Sequence, residues 1–321
     1  MKRFLHILPY LLLPLLFFLG VTVGSFYISP EKIWIDGSLD PIAGLRIVRM
    51  CAAMVIGSSL ALSGMIFQAV LRNPLAEPFI LGVSGGAGTG AALVIVCGWG
   101  ASFVLSVPLG ALTGALVALS VALFVSRGGR RGSETLLLSG VIIGTVSGSI
   151  LMYLISIARV DELAGITWWM LGDLQTADSV LLIPGGLVLL ILTPLLFLFS
   201  REINALSIGD SEAWNFGVST VKMRLFLILS ASLLASFSVA IAGIIGFCGL
   251  IVPHIVRRIY GCDHRKITWM VFVWGADFLM MCDILTRIFS EQKEIPIGVI
   301  TSLIGGPFFL WIINRRRSHE I

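Results

Sequence analysis

Few side chains in this 321-residue sequence are equipped for chemistry, and their spacing limits what they can do. Asp283 and Arg287 stand four residues apart, so on a helix they share a face and can pair. Arg287 is equally placed to meet an acidic partner at a helix end; the sequence leaves both readings open. Arg46 and Arg49 lie about one helical turn apart at the start of an apolar run. They can snorkel to lipid headgroups or form a docking surface for carboxylates, and again both readings stand. Asp277 lies deep in an apolar run, where an ionised side chain costs about 2.5–3.5 kcal/mol on insertion scales. The four histidines are dispersed, and the five cysteines show no CxxC spacing, so neither a metal site nor a disulfide framework is expected. His254 follows Pro253, where a structural bond to backbone freed by the proline is the expected use. Gly82, Gly86 and Gly90 recur every four residues without the GxxxxGK[ST] lysine, which points to close helix packing rather than to a phosphate loop. No catalytic residue and no cofactor is expected.

The elements that carry these residues follow from composition. Hydrophobic residues make up 57% and charged ones 12%, against about 25% charged in a soluble domain. Mean hydropathy is +1.00. The solvent for such a surface is lipid. The apolar runs are long and continuous rather than alternating, so the spans are helices and not barrel strands. Runs near the roughly twenty residues needed to cross hydrocarbon lie at 8–27, 50–71, 79–99, 103–126, 135–157, 180–200, 225–245, 267–289 and 297–313. A shorter run at 246–259 makes ten. With ten spans and both termini inside, sixteen of the 22 Lys and Arg fall on the cytoplasmic side. A nine-span count would put Arg315, Arg316 and Arg317 outside. The run from Phe4 to Phe26 exceeds the usual 7–15-residue signal core and is expected to stay as a span. The segment 201–224 reads as one or two short cytoplasmic helices. The segment 158–179 reads as an outer loop whose Trp168 and Trp169 suit the membrane interface. The chain is expected to be one transmembrane domain over 1–321 in a plasma (inner) membrane, surrounded by lipid and with no affinity for nucleic acid.

Several stretches carry a resemblance. They are LRIVRM (45–50), SGMIFQAVLRNPLAEPFILGVSGGAGTGA (63–91), LLLSGVIIG (136–144), WWMLGDL (168–174), IAGIIGFCGLIVPHIVRRIYGCDHRK (241–266) and CDILTRIFSEQKEIPIGVITSLIGGPFFLW (282–311). In this order they resemble the FecCD-type permeases of type II ABC importers, which carry iron–siderophore complexes, haem or cobalamin. The resemblance covers nearly the whole chain.

The resemblance implies an all-α fold of about ten transmembrane helices and a second permease copy, with a homodimer expected. Its other partners are two separate ABC ATPase subunits inside and a substrate-binding protein outside. It implies that Arg46, Arg49 and Arg287 receive carboxylates from that binding protein. Asn73 and Leu75 correspond to a cytoplasmic gate, and Ser133 and Glu134 align more loosely near a second gate loop. The segment 205–218 corresponds to an ATPase-coupling loop in which Gly209 and Gly217 supply tight turns and Ala213 lies between them. The implied mechanism is alternating access with no catalytic chemistry in this chain. Asp277 stands outside the family pattern and leaves a proton-coupled secondary transporter as the alternative.

Overall fold

The computed structural model describes residues 2–24, 27–35, 38–99, 105–126, 132–175, 179–289 and 295–317, with side chains at 2–6, 32, 34, 35, 38, 132–134, 179 and 311–317 outside the description. Each of the ten apolar runs corresponds to one helix. In chain order these are α1 (Lys2–Thr22), α2 (Pro41–Val70), α3 (Val83–Val96), α4 (Ser106–Ser126), α5 (Gly132–Ile157), α7 (Ser179–Leu198), α10 (Thr220–Ala242), α11 (Cys248–Tyr260), α12 (His264–Ile288) and α13 (Ile297–Arg317). Six of them are apolar and long enough by themselves to cross a bilayer. Between the membrane helices lie α6 (Val160–Leu171), α8 (Ser200–Ile208) and α9 (Asp210–Asn215). The remaining regular structure is a 3-10 turn at Pro30–Lys32 and a two-residue antiparallel ladder pairing Trp34 with Leu39.

The longest helix, α2, is the axle of the bundle. Its start is fixed by the Asp40 carboxylate, which accepts the N–H groups of Ile42 and Ala43 at 3.0 and 2.9 Å, with Pro41 in the first turn. Thirty residues give it about 45 Å, more than the bilayer needs. It is buried along most of its length against α10, α11 and α12. Glycines let those helices approach closely. A Cβ on Gly57 would lie 2.2 Å from the carbonyl oxygen of Gly275 in α12, and one on Gly64 would lie 2.0 Å from that of Gly249 in α11. The glycine repeat in α3 packs in the same way. Cβ atoms on Gly86 and Gly90 would lie 2.4 and 2.0 Å from the carbonyl oxygens of Gly114 and Gly110 in α4.

Two helices are half-length, and irregular backbone completes their passage. The segment 71–82 precedes α3, and 243–247 precedes α11. Such backbone is tolerated at membrane depth only where protein satisfies it or it lines a cavity. Gln68 serves one segment by donating to the carbonyls of Gly249 (2.9 Å) and Ala76 (3.4 Å). The other is held at its start by 169–173: Asp173 N–H donates to the Ala242 carbonyl at 2.9 Å. From there the Gly172 carbonyl, whose residue has φ 79°, accepts Ile297 N–H at 3.2 Å. The stretch expected as an outer loop is therefore partly a helix, α6. Its start is built locally, because Glu162 accepts the Arg159 N–H at 2.9 Å.

Candidate functional site

Two clusters of ionisable side chains lie at the two ends of α12. At one end, α2 brings Arg46 and Arg49 beside the last turn of α12. The Asp283 carboxylate takes Arg49 Nε at 2.6 Å on one oxygen and Arg287 at 2.9 Å on the other, so the expected four-residue pair is one half of a bidentate arrangement. Asp283 is 0% exposed, Arg287 4% and Arg46 7%. Arg46 and Arg287 also turn to the end of α1. Arg46 donates to the carbonyls of Val21 and Thr22 at 3.1 and 3.2 Å. Arg287 donates to those of Gly20 and Val23 at 2.7 and 3.1 Å. The last turn of α1 has no basic residue of its own. The orphan carbonyls and partial negative charge of its C-terminus are met by cations from α2 and α12. The arginines singled out from sequence are thus brought together, with their heads turned inward.

At the opposite end sit α8 and α9. Asn204 of α8 donates Nδ2–H to Asp263 Oδ1 at 2.8 Å, and its Oδ1 accepts His264 N–H at 2.9 Å. Asp263 also pairs with Arg265 at 2.8 Å and caps α12. Arg265 and Asn204 together hold the Asp263 carboxyl well below the usual carboxylate range. α9 is tied in turn by Asp210, which accepts Arg224 of α10 at 2.5 Å. Its Glu212 is lowered by its own backbone N–H and by the Ser211 hydroxyl.

The two glycines expected to make tight turns differ. Gly217 has φ 77°, the left-handed region that glycine favours, with open space around a built Cβ. Gly209 has φ 171°, extended backbone open to any residue. Its constraint is space, since a Cβ there would lie 2.1 Å from Glu212 Oε2. Ala213 is fully buried between them, while Trp214 and Phe216 are 71% and 73% exposed and Ile208 stands exposed beside them. Large apolar side chains grouped on a surface mark an interaction site. Sequence reading passed over these aromatics; the signal was an indole and a phenyl ring in a short charged loop.

The segment 71–82 carries the gate expectation. Asn73 Oδ1 accepts the Leu75 N–H at 2.9 Å and closes an Asx turn, and Leu75 is exposed. Arg72 before it has φ 51°. Ser133 and Glu134 fall in the first turn of α5, but their side chains lie outside the described residues. Buried Gln68 also accepts Arg257, a bond that links α2 to α11. His254 places its ring edge-on against Phe308 and Phe309 of α13, at 6.0 and 6.4 Å. Asp277 is buried in α12, and neither carboxylate oxygen has a hydrogen-bond partner among the described residues. Among the described residues, no three His, Cys, Asp or Glu side chains group as a metal site would need.

The model of the FecCD transport family matches residues 12–315. The chain belongs to that family. Among curated relatives, the hemin transport system permease protein HmuU of Yersinia pestis is 35% identical over 94% of this chain and 92% of its own length. The vitamin B12 import system permease protein BtuC of Photorhabdus laumondii is 33% identical over 98% and 94%. Of solved structures, a metal-chelate type ABC transporter in an inward-facing conformation superposes with a TM-score of 0.86 at 27% identity, covering 98% of this chain and 99% of that one. This FecCD chain is therefore an all-α, polytopic membrane permease of the ABC importer class, a transport subunit with the fold of a type II importer permease.

Proposed function

We propose that this permease moves a bulky metal chelate or macrocycle (an iron–siderophore, haem or cobalamin) inward by alternating access, driven by ATP hydrolysis on two separate ATPase subunits. The observation that carries this is the pair α8–α9. It is clamped to α12 and α10 by Asn204 and Asp210, and it presents Ile208, Trp214 and Phe216 outward. A loop held this firmly while leaving its apolar residues uncovered suits a second protein that pushes on it. Gly209, Ala213 and Gly217 shape that loop in this reading. Asn73 and Leu75, with Ser133 and Glu134, line the cytoplasmic gate. The exposed apolar face of α5 (Leu138, Val141, Ile142, Met152 and Tyr153) takes a second copy of the chain or lipid.

On the outer side Arg49, with Arg46 and Arg287 behind it, receives carboxylates of a substrate-binding protein. Those carboxylates compete with Asp283 and the α1 carbonyls for the same guanidinium groups. Both termini lie in the cytoplasm in this orientation. The relatives named above support the substrate class, the permease for hemin and that for vitamin B12 in particular. Affinity purification in mild detergent tests the assembly. An ABC ATPase recovered in equal amount supports it, and recovery of the permease alone, from membranes where a known importer stays assembled, removes it.

Asp277 favours a second reading, because a buried carboxyl with no partner among the described residues is the kind of group a proton relay uses. In that case Asp277→Asn abolishes uptake and an imposed proton gradient replaces ATP.

A further inference from the structure

The two irregular segments meet at a residue whose backbone is unusual. Phe247 precedes α11 with φ 66°, a left-handed conformation that a phenylalanine rarely adopts. Its N–H donates to Glu77 Oε1 at 2.9 Å. Glu77 belongs to 71–82, the same short segment as Asn73 and Leu75. The next residue, Pro78, lies against Gly249 in the first turn of α11, where a built Cβ would come within 2.5 Å of the proline ring. The carboxylate thus faces the N-terminus of α11, where negative charge is favoured.

The ring of Phe247 reaches the third participant. Gly305 of α13 lies under it, so that a Cβ there would be 2.3 Å from Phe247 Cγ. Phe309, one turn further on, tilts against the same ring at 6.4 Å. Register with α2 gives the depth: Cys248 Sγ lies 3.5 Å from the Gly57 carbonyl, near the middle of that 30-residue helix. The junction therefore sits inside the bilayer, where segment 71–82, the α10–α11 break and α13 meet.

We infer that Glu77 is a positioning residue. Its carboxylate fixes Phe247 in the left-handed conformation, and the Phe247 ring seated on Gly305 makes 71–82, 243–250 and the middle of α13 move as one body. The tie itself follows from geometry. Its place in gating rests on the importer reading above.

Hydrogen exchange of the full chain in lipid nanodiscs, read by mass spectrometry, tests this without ATP, substrate or partner. A failure here therefore leaves the transport reading untouched. Glu77→Ala is expected to raise exchange about tenfold in peptides covering 71–82, 243–250 and 297–310 together, with α4 and α5 unchanged. Glu77→Gln keeps an acceptor oxygen and is expected to restore protection in all three. Phe247→Gly accepts the left-handed backbone without strain but removes the ring, so it is expected to loosen 71–82 and 297–310 as well. A rise confined to 243–250, no rise, or failure of the glutamine to restore protection overturns the inference. If Glu77→Ala loosens the whole chain, Phe247→Gly decides: unchanged exchange at 71–82 and 297–310 then overturns it.

Discussion

Asn204 and Asp263 are joined side chain to side chain at 2.8 Å, although one lies in the short helix α8 and the other caps the membrane helix α12. The bond makes α8 an extension of α12, since the oxygen of the same amide takes His264 N–H at 2.9 Å. In the proposed mechanism a push on α8 reaches the helix whose far end holds Asp283 and Arg287.

Asn204→Ala removes its contacts to Asp263 and to the backbone N–H and ring Nδ1 of His264, and leaves the His264 N–H without its partner. The cost to stability is expected at about 1–3 kcal/mol, read as a fall in the thermal midpoint in detergent. The larger expected effect is on coupling. Reconstituted with its ATPase, the variant hydrolyses ATP while uptake falls about tenfold, the factor that 1.4 kcal/mol of lost transmission gives. Equal loss of hydrolysis and uptake would assign Asn204 to assembly instead.

Asp263 also sets a pH dependence. Its carboxyl is held low in the folded protein by Arg265 and Asn204, so the ionised form contributes stability at any pH above the ordinary value of about 4. That contribution is lost only as pH falls below that value toward the lowered one. The thermal midpoint of Asp263→Asn is therefore expected to lie below wild type at pH 7, with the gap closing at low pH. A gap that stays constant down to pH 3 would show that the charge is not what Asp263 supplies.

The cluster around Asp283 predicts a sharp asymmetry. Asp283→Ala leaves Arg49 and Arg287 buried without their carboxylate, a loss expected at about 3–5 kcal/mol. Arg49→Met with Asp283→Leu removes one arginine together with the carboxylate and leaves Arg287 to the α1 carbonyls, so it is expected to cost less than Asp283→Ala alone. Comparing the single and double variants by thermal unfolding gives the coupling directly. If the cluster is also the docking site, Arg49→Glu weakens binding of the substrate-binding protein in a salt-dependent way.

Gly209 and Gly217 separate space from conformation. Gly209→Ala is expected to uncouple hydrolysis from uptake through the clash with Glu212, and Glu212→Ala is expected to restore coupling. Gly217→Ala meets no neighbour, and its expected cost of about 1 kcal/mol comes from the left-handed backbone, which no second substitution relieves.

The features legible in the sequence were the local and periodic ones. Ten apolar runs became ten helices because hydropathy over about twenty residues is what the bilayer selects. The α3 glycines packed on a neighbour because small residues four apart make a flat helix face. That 201–224 forms one or two short helices rather than a span was visible from its polarity, and the structure has two. The pairs that join distant parts were not. Asn204 with Asp263, Glu77 with Phe247, and Arg46 and Arg287 with the end of α1 each require knowing which helices lie side by side, and no periodicity within one segment encodes that. Glu77 was missed for a further reason. It lies just before the apolar run that begins at Phe79, so hydropathy placed it at the water boundary, while the irregular segment 71–82 packs it against the start of α11. For Arg46 the sequence left snorkelling and docking open, and for Arg287 a pair with Asp283 or an acidic partner; neither reading included the bare carbonyls at the end of α1 that both side chains reach.

ATP-driven import is open to a direct test by uptake into proteoliposomes. The permease is reconstituted with the ABC ATPase and binding protein that co-purify with it, and presented with haemin, cyanocobalamin or a ferric hydroxamate in turn. The expected result is accumulation of one of these that requires ATP on the ATPase side, stops with a hydrolysis-dead ATPase, and persists when the proton gradient is collapsed. Uptake that ignores ATP but follows an imposed proton gradient and disappears in Asp277→Asn would contradict it.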